Sequence, residues 1–326
     1  MDIIIFSFNA VAPLFFPIIL GWFIKWRKHI NEENINFLNR ICFRYLLAFH
    51  IFNITATINF YEEFEPRLIA ICSLGIFLVM IAAWAVFSFT IRDREKRCVF
   101  IVSSFRSNNI IYALPMAANL FGPEGVKAAA TLAPVTIILF NFFCVMTMVY
   151  HAQASLGDGT SGAGAYDVAA AIRGTVIDIV RNPLIAGSVL GILFSLSGVA
   201  LPLFMRNGIN AVAATGTPLA LILLGSQMDF KQLTGSLAPA LGACAVRLVI
   251  VPGILVPLMV AAGFRGLELG ALMVVFAAPC AVTNLIMARN YRINPPLAAQ
   301  TVYLSTALSL PTMFIAISLL RSLGLL

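Results

Sequence analysis

The segment SSFRSNNIIYALPMAANLFG, residues 103–122, decides how the rest of the chain is read. It is apolar enough to cross a bilayer, yet it carries Arg106, Asn108, Asn109 and Pro115. Proline cannot donate the i→i−4 bond, so the carbonyl of Ile111 loses its helical partner. Unpaired backbone at membrane depth survives only where it is buried in protein or lines a wet cavity. The arginine and both asparagines are therefore expected to face a protein interior or an aqueous path. A second interrupted segment, FAAPCAVTNLIMARNY at 276–291, places Pro279 164 residues after Pro115. Paired interruptions at matching places in two halves point to the binding site of a carrier.

Composition sets the solvent. The chain is 60% hydrophobic and 11% charged, with a mean hydropathy of +0.95. Soluble domains carry about 25% charged residues, so a polytopic membrane protein is expected. Cys42, Cys72, Cys98, Cys144, Cys244 and Cys280 stand singly in apolar runs, with no CxxC or Cys/His cluster. That pattern indicates neither a metal nor a disulfide framework, and no cofactor signature accompanies it. The apolar start is too long for a signal peptide and lacks a basic leading region, so it reads as a first transmembrane helix.

Runs of about 20 apolar residues suffice to span the hydrocarbon core. Ten are expected, near 3–25, 35–58, 68–91, 98–121, 126–150, 184–199, 210–228, 238–262, 269–287 and 296–320. The sixth is short, and 169–182 before it reads as an amphipathic surface helix or an extension of the span. Lysine and arginine set the orientation. Thirteen of them fall in the odd-numbered loops, against five in the even-numbered loops and C-terminus, where Glu62, Glu63 and Glu65 also lie. Both termini are thus expected outside the cytoplasm. The net charge of +7 is explained by topology and needs no nucleic-acid partner.

Residues 151–166, HAQASLGDGTSGAGAY, form a glycine-rich stretch that reads as a flexible cytoplasmic linker. It divides the chain into a first five-helix unit (1–150), a linker with the amphipathic segment (151–183) and a second five-helix unit (184–326). An odd number of spans per half forces the halves into opposite orientations. The prolines agree in position: Pro13 and Pro17 against Pro183, Pro115 against Pro279, Pro134 against Pro311. This is how inverted repeats appear in sequence.

Four motifs in this order, FRSNNIIYALPMAANLFGPEG (105–125), VRNPLIAGSVLGILFSLSG (180–198), GTPLALILLGSQMDF (216–230) and PCAVTNLIMARNY (279–291), run along the whole chain. The sequence resembles the auxin efflux carrier family, whose bacterial members include malonate and malate transporters. The resemblance implies an all-α fold of ten transmembrane helices in two inverted five-helix repeats, with broken fourth and ninth helices crossing at the midplane. That fold is shared with sodium–proton antiporters and bile acid symporters. It implies a scaffold of helices one, two, six and seven, a mobile core of the other six, a homodimer, and a place in the plasma (inner) membrane. Pro115 and Pro279 match the family's crossover prolines, and Asn284 falls in the matching polar region of the ninth helix. Two positions depart: Ala48 stands where the second helix commonly has proline, and Ala113 stands for the glycine before the fourth-helix Leu-Pro.

Sorted by depth, the charges leave Arg44, Arg106 and Arg247 inside spans two, four and eight, with all fourteen acids in loops or at helix ends. Each arginine lies about nine residues, or roughly 13 Å, past its cytoplasmic boundary. A mid-helix charge costs at least about 2.5 kcal/mol, so something must compensate it. A bound carboxylate suits the planar guanidinium fork. Carbonyls freed at the breaks, asparagines or buried water serve equally, and a shift of a few residues lets Arg44 or Arg106 snorkel to the interface. Arg106, Asn108, Asn109, Asn284, Arg247 and Arg44 are the candidate substrate-binding residues, and Pro115 and Pro279 the crossover residues. His50 and Asn53 share a helix face and read as interhelical contacts.

The sequence therefore predicts a secondary carrier for a small organic anion, such as malonate or malate, working by alternating access. The absence of intramembrane acids argues against a dedicated cation-binding carboxylate pair. The other readings are a carrier of a neutral or amphipathic solute, or a channel or sensor on the same scaffold. Three histidines and no HExxH, GxSxG or phosphate-binding motif argue against an enzyme or a primary pump.

Overall fold

The computed structural model describes residues 2–57, 65–155, 168–199, 201–228 and 237–326. Most of the glycine-rich stretch at 151–166 lies outside the described residues, as do Glu62, Glu63 and Lys231. The regular structure among the described residues is helical, with a single isolated backbone bridge.

In chain order the helices are α1 (Asp2–Trp26), α2 (Glu32–Ile41), α3 (Leu47–Ala56), α4 (Pro66–Thr90) and α5 (Arg94–Phe105). Then come α6 (Leu114–Ser155), α7 (Val168–Val180), α8 (Pro183–Ser197), α9 (Leu203–Gln227), α10 (Ala238–Ala245) and α11 (Val251–Ala261). The last three are α12 (Gly266–Ala277), α13 (Thr283–Asn290) and α14 (Pro295–Ser322). Among the described residues three π-turns join neighbours: π1 (Cys42–Leu46) between α2 and α3, π2 (Asn109–Ala113) before α6, and π3 (Val246–Ile250) between α10 and α11. A π-turn inserts one residue and re-aims the side chains around it, and such turns concentrate at functional sites. The second helical run thus carries its irregularity at π1, just ahead of Ala48, without the proline.

Among the described residues six helical runs are long and apolar enough to cross a membrane: Ile3–Trp26, Pro66–Thr90, Asn109–Ala152, Leu203–Gln227, Ala238–Ala261 and Pro295–Ser322. At 1.5 Å per residue, 25 residues reach about 37 Å. The Asn109–Ala152 run contains a kink. Gly122 adopts φ 62°, ψ −146°, a conformation that side chains with a Cβ rarely take, and Pro123 starts a new helix after it. Two shorter apolar helices are α8 and α12.

Side-chain distribution is that of a protein whose outer face meets lipid. Phe16, Phe89, Leu203, Phe204 and Ile315 are all exposed. The two interrupted stretches, 101–114 and 269–282, are buried at every residue. The polar, backbone-frayed segments therefore sit in the middle of the protein, with continuous helices around them.

Helices approach through small residues. A Cβ on Gly21 would lie 1.8 Å from the carbonyl oxygen of Ile222, and one on Gly225 would lie 1.8 Å from that of Ile18. The two glycines work reciprocally, and α1 and α9 pack backbone against backbone. With no hydrophobic effect to drive association inside lipid, such close packing supplies the van der Waals contact.

Candidate functional site

Helix α5 is capped by Asp93, whose side chain accepts from the Lys96 amide, and ends at Phe105. Arg106 then leaves the helix in an extended conformation (φ −91°, ψ 102°), and Asn108 (φ −81°, ψ 68°) leads into π2. Helix α12 ends the same way at Ala278 (φ −60°, ψ 149°), and α13 starts at Thr283. The interruptions meet. Ser107 and Cys280 form an antiparallel bridge, the Asn108 amide donates to the Pro279 carbonyl at 2.8 Å, and the Ala281 amide donates to the Arg106 carbonyl at 3.4 Å. The Cys280 amide donates to Ser305 Oγ of α14 at 3.1 Å. Each break thereby supplies partners for backbone groups that the other has freed, as burial demands.

The two prolines occupy different places in this arrangement. Pro279 is inside its interruption and its carbonyl takes part in the crossing. Pro115 is the second residue of α6, beyond π2, so the fourth helical run opens at 106–108, several residues before it. Leu114 donates to the Asn109 carbonyl in the wider π pattern. Ala113, the last residue of this turn, is fully buried.

Beside the crossing lies a cavity of about 270 Å³. Its polar wall comprises Arg106, Ser107, Asn108, Asn109, Asn141, Asn182 and Thr283, and its apolar wall includes Phe43, Ile111, Ile137, Phe140 and Leu184. Arg106 is only 5% exposed; its guanidinium donates to Asn141 Oδ1 at 2.8 Å and to Cys144 Sγ at 2.9 Å, both on α6. Those acceptors are neutral. The described ion pairs, Lys25–Glu32, Lys96–Asp93 and Lys127–Glu124, involve none of Arg44, Arg106 and Arg247. Asn109 Nδ2 donates to Thr136 Oγ1. Ser107 Oγ, Asn108 Nδ2 and Asn109 Oδ1 are buried without a hydrogen-bond partner.

Three helix starts also line this cavity: Asn109 and Ile110 at the head of π2–α6, Val282 and Thr283 at the head of α13, and Asn182 with Pro183 at the head of α8. Asn182 caps α8, its Oδ1 accepting from the Leu184 amide at 2.9 Å. Helix N-termini carry partial positive charge. One guanidinium and three such ends surround a space whose lining includes no carboxylate.

The other candidates from sequence sit elsewhere. Arg247, on π3, is 0% exposed and does not line the cavity. Its Nε donates to Ala278 O at 2.8 Å, its NH1 to Ser104 O at 3.0 Å and its NH2 to Val275 O at 2.9 Å. Arg44, on π1, is exposed, although its neighbour Phe43 reaches the cavity. Asn284 is buried with both amide atoms unpartnered, one residue past the lining Thr283. His50 Nε2 is 3.3 Å from Thr217 Oγ1, an interhelical contact. Sequence reading did not single out Asn141, Cys144 or Thr136. A lone asparagine in the run LFNFF, about two turns after Pro134, was the available signal.

An all-helical membrane protein with two interrupted helices tied together beside a cavity that has one polar wall belongs to the transporter class. The sequence profile of the family described as Membrane transport protein matches residues 6–162 and 168–317, and the chain belongs to that family, the auxin efflux carriers. The chain is 24% identical to an uncharacterized transporter of Methanocaldococcus jannaschii, over 93% of this chain and 95% of the relative. It is 23% identical to the probable auxin efflux carrier component 5a of Oryza sativa subsp. japonica, over 96% and 97%. It is 19% identical to auxin efflux carrier component 5 of Arabidopsis thaliana, over 94% of each.

Proposed function

We propose that this transporter is a secondary carrier for a small organic anion, a carboxylate or dicarboxylate of the size of malonate or malate. The observation that carries the reading is the unbalanced positive charge at the cavity. Arg106 is buried against neutral acceptors, three helix starts line the same cavity, and no lining residue bears a negative charge. A carboxylate there gains charge-assisted hydrogen bonds from the guanidinium fork and from Asn108 Nδ2 and Ser107 Oγ, which lack partners. Transport is by alternating access around the crossing, within ten spans arranged as two inverted repeats of 1–150 and 184–326. The interruptions at 106–108 and 278–282 and the division of the long run at Gly122 support that arrangement. Both termini lie outside the cytoplasm of a plasma (inner) membrane, and a homodimer is the working assembly.

The apolar wall of Phe43, Ile137, Phe140 and Leu184 favours a second reading, in which the solute is amphipathic and presents its apolar part to these side chains. Proteoliposomes separate the two. Saturable uptake of labelled malonate or malate, competed by short dicarboxylates and unaffected by neutral analogues, supports the first reading. Competition by neutral aromatic analogues alone overturns it. Uptake that never saturates identifies a channel.

A further inference from the structure

The carbonyls of Ser104, Val275 and Ala278 converge on one point from two different helices. Ser104 is in the last turn of α5, Val275 in the last turn of α12, and Ala278 is the residue that ends α12. Helix C-termini carry partial negative charge, and these carbonyls are released from their own ladders because both helices break here. Hard oxygen ligands at the C-terminal ends of discontinuous membrane helices form the kind of cluster that binds sodium in carriers. Here the cluster is filled by part of the chain. The Arg247 guanidinium meets all three oxygens at 2.8 to 3.0 Å, through three different nitrogens. It is fully buried, and no described carboxylate pairs with it.

We infer that Arg247 is a tethered cation, occupying the carbonyl cluster at the two helix breaks in the manner of a coupling ion, so that transport by this chain needs no sodium. Arg247 is then a positioning residue that acts through the backbone of both breaks. The π3 turn supports the role, since its extra residue re-aims the side chain that π3 carries at its second position. The alternative is that Arg247 is a neutral staple, valued for its hydrogen bonds and indifferent to its charge. The inference rests on the carrier reading above, and its test is built so that the two can fail separately.

The first arm is malonate uptake by the wild type in sodium, potassium or choline medium at fixed membrane potential, where equal rates are expected. Rates that collapse in choline overturn the inference. The second arm is thermal unfolding of Arg247→Ala in millimolar sodium, guanidinium or choline at matched ionic strength. A cation that fills the vacated cluster raises the unfolding temperature of the variant and leaves the wild type unchanged. No such difference overturns the inference. Should Arg247→Ala not fold, Arg247→Lys and Arg247→Gln decide. Lysine keeps the charge and is expected to retain more stability and uptake than glutamine, and glutamine performing as well as lysine identifies a neutral staple and overturns the inference. If the wild type takes up no carboxylate at all, the substrate reading falls, and the unfolding comparisons still settle the role of Arg247.

Discussion

The main-chain amide of Asn108 donates to the main-chain carbonyl of Pro279 at 2.8 Å, joining residues far apart in sequence at the point where both helices are open. This bond and the Ser107–Cys280 bridge make the two interruptions one structural unit. Geometry at the cavity therefore depends on residues from both halves of the chain.

Arg106→Ala is expected to reduce carboxylate uptake in proteoliposomes by about tenfold or more, the scale of one charge-assisted interaction of 1.5–3 kcal/mol. Asn141 and Cys144 lose a donor but keep neutral side chains, so the variant should still elute as a monodisperse species. Undiminished uptake removes Arg106 from the binding site.

Asn141→Asp places a carboxylate where Arg106 now donates to an amide oxygen at 2.8 Å. The guanidinium is already desolvated, so an internal partner is expected to raise the unfolding temperature. The same partner competes with the solute, and the apparent affinity for malonate should fall. A variant that is more stable yet transports with unchanged affinity contradicts the anion site.

Ser305→Ala strands the buried amide of Cys280, which donates to Ser305 Oγ at 3.1 Å. An unsatisfied buried donor costs about 1–3 kcal/mol. The loss should register in thermal unfolding in detergent, and wild-type stability in this variant excludes the bond as a support of the crossing.

Gly225→Ala drives a methyl group to 1.8 Å from the Ile18 carbonyl oxygen, whereas a Cβ on Gly208 of the same helix meets nothing within 4 Å. Overpacking costs about 1–3 kcal/mol, while glycine to alanine at an open helical position gains roughly 0.5–1 kcal/mol. Opposite shifts in unfolding temperature are expected. Equal shifts mean that α1 and α9 do not meet through these glycines.

Periodicity and composition made the helical, membrane-embedded class legible, because lipid forces long apolar runs and internally paired backbone. The inventory of costly residues was legible for the same reason, and Arg106, Asn108 and Asn109 do line one cavity. Partnership was not. Arg247 and the carbonyls of Ser104, Val275 and Ala278 are separated by 28 to 143 residues, and a carbonyl leaves no mark in sequence. Pro115 was a visible signal, but a π-turn stands between it and the opening at 106–108, and nothing in the residue types of π2 announces a π-turn. Asn141 was hidden differently, as one amide among phenylalanines whose meaning came only from the arginine opposite.

The reciprocal glycines of α1 and α9 carry one further consequence. A seam in which each helix's carbonyls nest against the other's bare Cα atoms offers no smooth track, and slippage by one rung would drive side chains into main chain. These two helices should therefore travel as a single beam. Spin labels at their ends would keep a constant separation through the transport cycle and supply the fixed ruler against which every other displacement in the protein can be gauged.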